Sequence, residues 1–295
     1  MQDNPINHFS STCSSSNNNN DNSTEQHVPK DIPEQSKSTI ERAIKTNPEL
    51  GTLPSDGIRI PLKDNIPVFS KPYSIPYNLH KETKEEIEKL IRLGVVQKSR
   101  SLYASPAWPI VKKNGKVRLV VDYKKLNAKT VRQAFPFPNI REQLQTLPPA
   151  KIFSQLDLNM GYYQIPVHKQ DIEKTAFVVP WGHYEFLRMP FGLTSAPREF
   201  QRCMSDLFAE VDFVRIFLDD VLIFSKSTEE HAQHLQIVFD ILTSAGASIN
   251  FENPPFTRNK LLTSETSFRK KAYGQTFPEL KTATCIHRQN PGKIL

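Results

Sequence analysis

Two adjacent aspartates, Asp219 and Asp220, interrupt an otherwise apolar stretch, and this stretch constrains the fold more than any other part of the chain. It runs from Val214 to Ser225 and reads VRIFLDDVLIFS. Its β-branched and aromatic residues favour strands, so the pattern predicts a tight β-hairpin with the acidic pair at its bend. Two carboxylates there repel each other and are costly to bury unless a divalent cation neutralises them. A solvated turn is the alternative interpretation, because aspartate is common in turns.

A third aspartate, Asp157, lies near the end of a second apolar run, KIFSQLDL at residues 151–158. This run predicts a strand, and an isolated charge at its end is again costly. If the strand and the hairpin share a sheet, Asp157 can converge with Asp219 and Asp220 at one sheet edge. Three carboxylates can hold two divalent ions about 3.5–4 Å apart, the arrangement that clamps an in-line phosphoryl displacement. Oxygen ligands favour Mg²⁺ or Mn²⁺ over zinc.

The two ends of the chain differ in composition from its middle. Residues 1–57 include a serine- and asparagine-rich tract with four consecutive asparagines, which predicts a disordered low-complexity segment. Residues 254–295 hold eight lysines and arginines against two acids, which is most of the formal net charge of +7, and they predict a disordered basic tail. The three widely spaced cysteines indicate neither a disulfide framework nor a zinc site. The sequence has no signal-peptide pattern and no apolar run of membrane length, so we expect an intracellular protein without a membrane partner.

Residues 58–253 alternate between helical and strand patterns, which predicts an α+β domain. A helix is expected over Leu79–Gly94, with Thr83 and Glu86 as a capping box. Asn114-Gly115 predicts a hairpin turn. Four cations surround the tip of this hairpin, which is either an ordinary solvated hairpin or a mobile clamp for a polyphosphate or nucleic-acid backbone: Lys112, Lys113, Lys116 and Arg118.

A further helix is expected over Ser227–Ala245, with Ser227 and Glu230 as its capping box. His231 and His234 lie three residues apart in it. No third ligand is nearby in the sequence, so we interpret both as helix-surface residues rather than a metal pair. Cys203 lacks a neighbouring base and is interpreted as structural.

Four blocks of this sequence resemble the reverse transcriptase domain of gypsy-class LTR-retrotransposon Pol polyproteins. The blocks are SPAWPIVKKNGKVRLVVDYKKLN, FSQLDLNMGYYQI, KTAFVVPWGHYEFLRMPFGLTSAPREFQ and FLDDVLIFS, in family order and at family-like spacing. The resemblance covers about residues 58–253. It implies an α+β polymerase palm, an antiparallel sheet backed by helices, with a fingers subdomain at about residues 79–147.

The resemblance also implies roles for individual residues. Asp157, Asp219 and Asp220 match the catalytic acids that bind Mg²⁺ or Mn²⁺. Tyr162 matches the steric gate, whose ring would clash with a ribose 2′-hydroxyl. The remaining matches concern the incoming dNTP: Arg118 and either Lys112 or Lys113 would contact its triphosphate, and Phe191, before Gly192, would line its base and sugar.

The same resemblance implies RNA-directed DNA synthesis on an RNA or DNA template, with a primer strand and dNTPs as partners. After Ser248 the sequence departs from the family, because INFENPPF replaces the expected lysine–cysteine–phenylalanine stretch and primer grip. We therefore expect a domain truncated after the palm. An out-of-frame origin is the hypothesis for residues 254–295, and other Pol segments are the expected partners in trans. The alternative function is a retrotransposon relic that binds nucleic acid without effective synthesis.

Overall fold

A computed structural model describes residues 34–112, 115–131, 146–217 and 220–251 of the chain. Lys113 and Asp219 lie outside the described residues, as do most of the predicted low-complexity segment and the basic tail. The helices, in chain order, are α1 (Glu34–Thr46), α2 (His80–Arg92), α3 (Lys124–Lys129), α4 (Ala196–Leu207) and α5 (Thr228–Ser244). The strands are β1 (Val96–Lys98), β2 (Ser105–Val111), β3 (Val117–Val121), β4 (Ile152–Asp157), β5 (Phe177–Val179), β6 (Gly182–Phe186), β7 (Val214–Phe217) and β8 (Asp220–Ser225).

A three-stranded antiparallel sheet with the order β4-β8-β7 carries the acidic hairpin. Every described residue of β8 is buried, and alternate residues of β4 are buried. The central strand is therefore covered on both faces, which explains its continuous run of Val, Leu, Ile and Phe. The predicted hairpin is confirmed, because β7 and β8 pair with Phe217 opposite Asp220.

A five-stranded sheet with the order β1-β6-β5-β2-β3 forms the second part of the fold. The pair β2–β5 is parallel and the other pairs are antiparallel. A hairpin that includes Gly115 joins β2 to β3, as predicted, and Asn114 lies outside the described residues. The Lys112 amide donates to the Lys116 carbonyl at 2.8 Å, and Gly115 has φ +79°, a conformation that glycine adopts without a Cβ clash.

The expectation of disorder over residues 1–57 is wrong for residues 34–57. Helix α1 packs on α5, where Ile40 and Ala43 are buried, and Leu53 is buried further along the chain. The Thr39 hydroxyl also bonds the Gln236 side chain of α5. In the sequence this helix has only a few apolar residues, and the polar residues around them gave no clear helical pattern.

Of the two predicted helix caps, one is wrong and one is confirmed. Helix α2 begins at His80, three residues before Thr83, whose hydroxyl donates to the Leu79 carbonyl within the helix. The capping box at Thr83 and Glu86 is therefore wrong, because Tyr77–Leu79 already form a 3₁₀ turn that starts the helix earlier. Ser227 does cap α5, since its Oγ accepts the Glu230 amide at 3.2 Å.

Within the described ranges, none of the helices has both the length and the apolar character needed to cross a bilayer.

Candidate active site

Two of the three predicted acids face each other at one end of the three-stranded sheet. Strand β4 ends at Asp157 and strand β8 begins at Asp220, and the antiparallel register pairs these two residues directly. Phe217 of β7 lies on the other side of Asp220. Asp219 immediately precedes Asp220 in the chain and lies outside the described residues. The register therefore brings together Asp157 and Asp220, which are separated by more than sixty residues in sequence.

The two acids have different surroundings. Asp220 is only 2% exposed, and its Oδ1 accepts a hydrogen bond from the Gln155 amide at 2.8 Å. Asp157 is half-buried, and its Oδ2 lies 3.4 Å from the Asn250 side-chain amide, which donates to it. Burying a carboxylate in a largely apolar sheet is costly even with one neutral donor. Two carboxylates, one of them buried, therefore meet at this sheet end, and the described part of the chain forms no group of three or more potential metal-ligating side chains.

Tyr162 lies on the turn that follows β4. This turn is a 3₁₀ helix, Gly161–Gln164, entered through Met160 in the left-handed conformation at φ 49°. The Tyr162 ring is buried and lies between two phenylalanines: its centroid is 4.8 Å from that of Phe191 and 5.2 Å from that of Phe200. Tyr162 follows Asp157 by five residues, and packing on the two phenylalanines holds its ring in place.

Arg118 extends this stack from the other sheet. Its guanidinium carbon lies 4.1 Å from the Phe191 ring centroid, which is cation–π geometry. The three side chains form one stack in the order Arg118, Phe191, Tyr162. Arg118 comes from β3, Phe191 from the loop after β6 and Tyr162 from the turn after β4. Sequence reasoning had assigned all three to the nucleotide, and the structure brings them together. Lys112 is exposed at the tip of the same hairpin, outside the stack.

The loop that carries Phe191 has its backbone fixed by two features. Gly192 has φ +96°, and an added Cβ would lie 3.3 Å from the Val121 carbonyl oxygen. The Asn127 side chain donates to the Gly192 carbonyl at 2.8 Å and accepts the Thr194 amide at 2.9 Å. Asn127 therefore holds both sides of the loop.

Sequence reasoning missed three residues of this region: Asn127, Gln155 and Asn250. Asn127 is the last residue of the family-like block that ends in YKKLN, and that position is the one sequence signal that could have pointed to it. Gln155 and Asp157 are two residues apart on β4, so strand periodicity alone predicts that they share one face of the sheet. Nothing in the sequence around Asn250 indicated its contact with Asp157.

The remaining polar candidates belong to the core. His231 is 0% exposed, so its interpretation as a helix-surface residue is wrong. It belongs to the buried face of α5 and lies one turn before Leu235. His234 is half-buried and stacks on Phe213, with ring centroids 3.6 Å apart. The structural interpretation of Cys203 is consistent with its burial, which raises the pKa of the thiol to about 11.

A family model described as "Reverse transcriptase (RNA-dependent DNA polymerase)" matches residues 110–259. The chain is 39% identical over 197 residues to the retrovirus-related Pol polyprotein from transposon opus of Drosophila melanogaster. It is 36% identical over 246 residues to the corresponding polyprotein from transposon gypsy of the same organism. These matches cover 64% and 79% of this chain but only 20% and 24% of the relatives, so the chain spans about a quarter or less of their length.

Solved structures show the same fold. A prototype foamy virus protease–reverse transcriptase superposes with a TM-score of 0.70 at 24% identity, over 77% of this chain and 33% of that one. The foamy viral protease–reverse transcriptase in complex with an RNA/DNA hybrid gives 0.68 at 22% identity, over 76% and 31%. The likeness confirms the predicted α+β architecture of palm and fingers.

Proposed function

Because the chain belongs to the reverse transcriptase family, we propose that it catalyses RNA-directed DNA synthesis, transferring dNMP from a dNTP to a primer 3′-hydroxyl. The observation that carries the proposal is the register of β4 and β8, which sets Asp157 directly opposite Asp220 at a sheet end. The foamy viral relative was solved with an RNA/DNA hybrid, which supports RNA and DNA strands as template and primer here. In this proposal, other segments of a Pol polyprotein act in trans.

Asp157, Asp219 and Asp220 are the residues that would hold Mg²⁺ or Mn²⁺. The fit rests on the oxygen donors at this sheet end and on the burial of Asp220. When bound, two such ions activate the primer hydroxyl and neutralise charge on the phosphates. The chain's own contribution is to fix the carboxylates: strand pairing holds the backbone of Asp157, and the Gln155 amide orients Asp220.

The stack of Arg118, Phe191 and Tyr162 is the proposed nucleotide side of the site. A guanidinium suits a triphosphate, because it presents several donors to phosphate oxygens, and Lys112 or Lys113 would add charge nearby. Phe191 and Gly192 would border the base and sugar. Tyr162 would exclude a 2′-hydroxyl, and its position between Phe191 and Phe200 supplies the rigidity that exclusion requires.

Primer extension on poly(rA)/oligo(dT) with Mg²⁺ or Mn²⁺ tests this proposal. Asp157→Asn and Asp220→Asn should each abolish extension while leaving binding of an RNA/DNA hybrid, followed by fluorescence anisotropy, within a few-fold of wild type. Asp240→Asn is the matched control, because Asp240 is an exposed acid on α5 that pairs with Arg42 at 3.6 Å. Its extension should equal that of wild type.

Two results would contradict the proposal. Extension that persists in both acid variants would remove the catalytic assignment. Hybrid binding by the wild type without extension under either metal would instead support a nucleic-acid-binding relic.

A further inference from the structure

The backbone that follows α5 runs beside the acid strand. The Asn250 amide donates to the Asp157 carbonyl at 2.9 Å, and the Asn159 amide donates to the Ser248 carbonyl at 2.9 Å. Leu158 and Ile249 form an antiparallel bridge between these bonds. Asp157 therefore lies between two neighbours, Asp220 of β8 on one side and residues 248–250 on the other. Residues 248–250 are not part of β1–β8, so contacts beyond regular strand pairing must hold them in position.

The side-chain amide of Gln164 supplies one set of those contacts. Gln164 is 0% exposed. Its Oε1 accepts the Ser248 amide at 2.9 Å, and its Nε2 donates to the Ser248 carbonyl at 2.8 Å and to the Asn159 carbonyl at 2.7 Å. One side chain thus satisfies both backbone groups of Ser248, as a neighbouring strand would.

Asn47 makes the same arrangement with the next residue. Its Nδ2 donates to the Ile249 carbonyl at 2.8 Å, and its Oδ1 accepts the Ile249 amide at 2.8 Å. The segment around Asn47 adds a third tie, since the Ser248 hydroxyl donates to the Pro48 carbonyl at 2.7 Å. Asn47 follows α1 in the chain and lies outside the region that the family model matches.

We propose that Asn47 and Gln164 are positioning residues for Asp157: their two amides clamp residues 248–250 as a substitute strand and so fix the Asp157 carboxylate for metal binding. The inference rests on the proposed function, because it takes Asp157 as a metal ligand. Asn250 connects the clamp to the carboxylate, since its backbone bonds the Asp157 carbonyl and its side chain approaches Oδ2. Residues that orient a metal ligand commonly change metal affinity when they are replaced.

Mn²⁺ binding to the full chain, followed by the electron paramagnetic resonance signal of free Mn²⁺, tests the clamp without requiring catalysis. Gln164→Met and Asn47→Leu keep side-chain size but remove both halves of the amide, and each should weaken Mn²⁺ binding about tenfold or more. Hydrogen exchange measured by mass spectrometry should become faster in peptides covering 248–250. Asn47→Ala is the milder second variant at this half-buried position and should move both readouts in the same direction.

Thr175→Val is the matched control. The Thr175 hydroxyl is buried and accepts the Phe186 amide at 2.9 Å, and its one proton is within reach of the Ile172 carbonyl at 2.6 Å and the Phe186 carbonyl at 3.2 Å. This variant removes a comparable set of bonds in the five-stranded sheet, so it should lose stability without losing Mn²⁺ affinity.

The outcomes separate this inference from the proposed function. Mn²⁺ binding that is present in wild type, lost in Asp220→Asn and unchanged in Gln164→Met and Asn47→Leu would overturn the clamp alone. Equal weakening in Thr175→Val would overturn it too, because the effect would then reflect general destabilisation. Absence of Mn²⁺ binding in wild type would remove both proposals together.

Discussion

The buried histidine His231 gives the sharpest prediction about stability. Its Nε2 lies 2.8 Å from the Ser154 hydroxyl of β4, and its Nδ1 lies 2.8 Å from the Ser225 hydroxyl of β8. A neutral imidazole has one donor and one acceptor, and serine hydroxyls rotate to match either, so the neutral ring is fully bonded here. The ring therefore joins α5 to the two strands that carry Asp157 and Asp220.

The pKa of His231 falls from its usual 6.5 to about 4, chiefly because the ring is buried; the neighbouring His234 contributes to the fall and Glu230 partly opposes it. Since the pKa in the folded state is the lower one, the unfolded chain binds the extra proton first, and stability is lost as pH falls below 6.5. Each pKa unit corresponds to about 1.4 kcal/mol, so His231 should cost about 2 kcal/mol at pH 5 and about 3 kcal/mol by pH 4. Above pH 6.5 this cost is absent.

Urea unfolding at pH 7.5 and pH 5 measures this cost directly. Wild type should lose about 2 kcal/mol more than His231→Gln between the two pH values, because glutamine cannot titrate. Thr175→Val is the control, since it removes buried hydrogen bonds at a residue that carries no titratable group. That variant should keep the wild-type pH dependence. An equal fall in wild type and His231→Gln would refute the assignment of the acid sensitivity to this ring.

Three further predictions concern the proposed nucleotide side and the core. Tyr162→Ala should raise ribonucleotide incorporation relative to deoxynucleotide incorporation, whereas Tyr162→Phe should not, and unchanged sugar selectivity in the alanine variant would remove the steric-gate assignment. Gly192→Ala should destabilise the fold by about 1 kcal/mol or more, because φ +96° is strained for any residue with a Cβ, and thermal unfolding measures this. The Cys203 thiol, with a pKa raised to about 11 by burial, should resist iodoacetamide at pH 7.5 until urea unfolds the chain. Peptide mass spectrometry distinguishes it from the other two cysteines, and rapid labelling of Cys203 itself in the folded chain would contradict its burial.

Much of the acid-bearing sheet could be predicted from the sequence because its signals are local. The apolar runs around Asp157 and Asp220 are strand-like, and the two-residue separation of β7 and β8 leaves few possible registers. The signal for the turn at Gly115 is equally local, since that turn depends on the positive φ that glycine allows. These features specify where strands end, and the candidate acids lie at strand ends.

The parts that could not be predicted depend on contacts between distant segments. Helix α1 buries Ile40 and Ala43 where it packs on α5, and its own sequence is too polar to indicate that contact. The amide of Asn47 pairs with Ile249, 202 residues further along the chain, and neither residue has a local signature for this bond. His231 could have been recognised, since it precedes the buried Leu235 by four residues and so lies on the same helix face.

The stack of Arg118, Phe191 and Tyr162 matters because it crosses between the two sheets. Arg118 belongs to β3 of the five-stranded sheet, whereas Tyr162 lies on the turn that leaves β4 of the three-stranded sheet. Phe191 touches both, at 4.1 Å from the guanidinium carbon and 4.8 Å from the tyrosine centroid. A triphosphate that drew Arg118 towards itself would exchange the cation–π contact for charged hydrogen bonds, while Phe191 would keep its stacking contact with Tyr162. In that proposal, the residue that recognises phosphate and the residue that tests the sugar are linked through one aromatic ring.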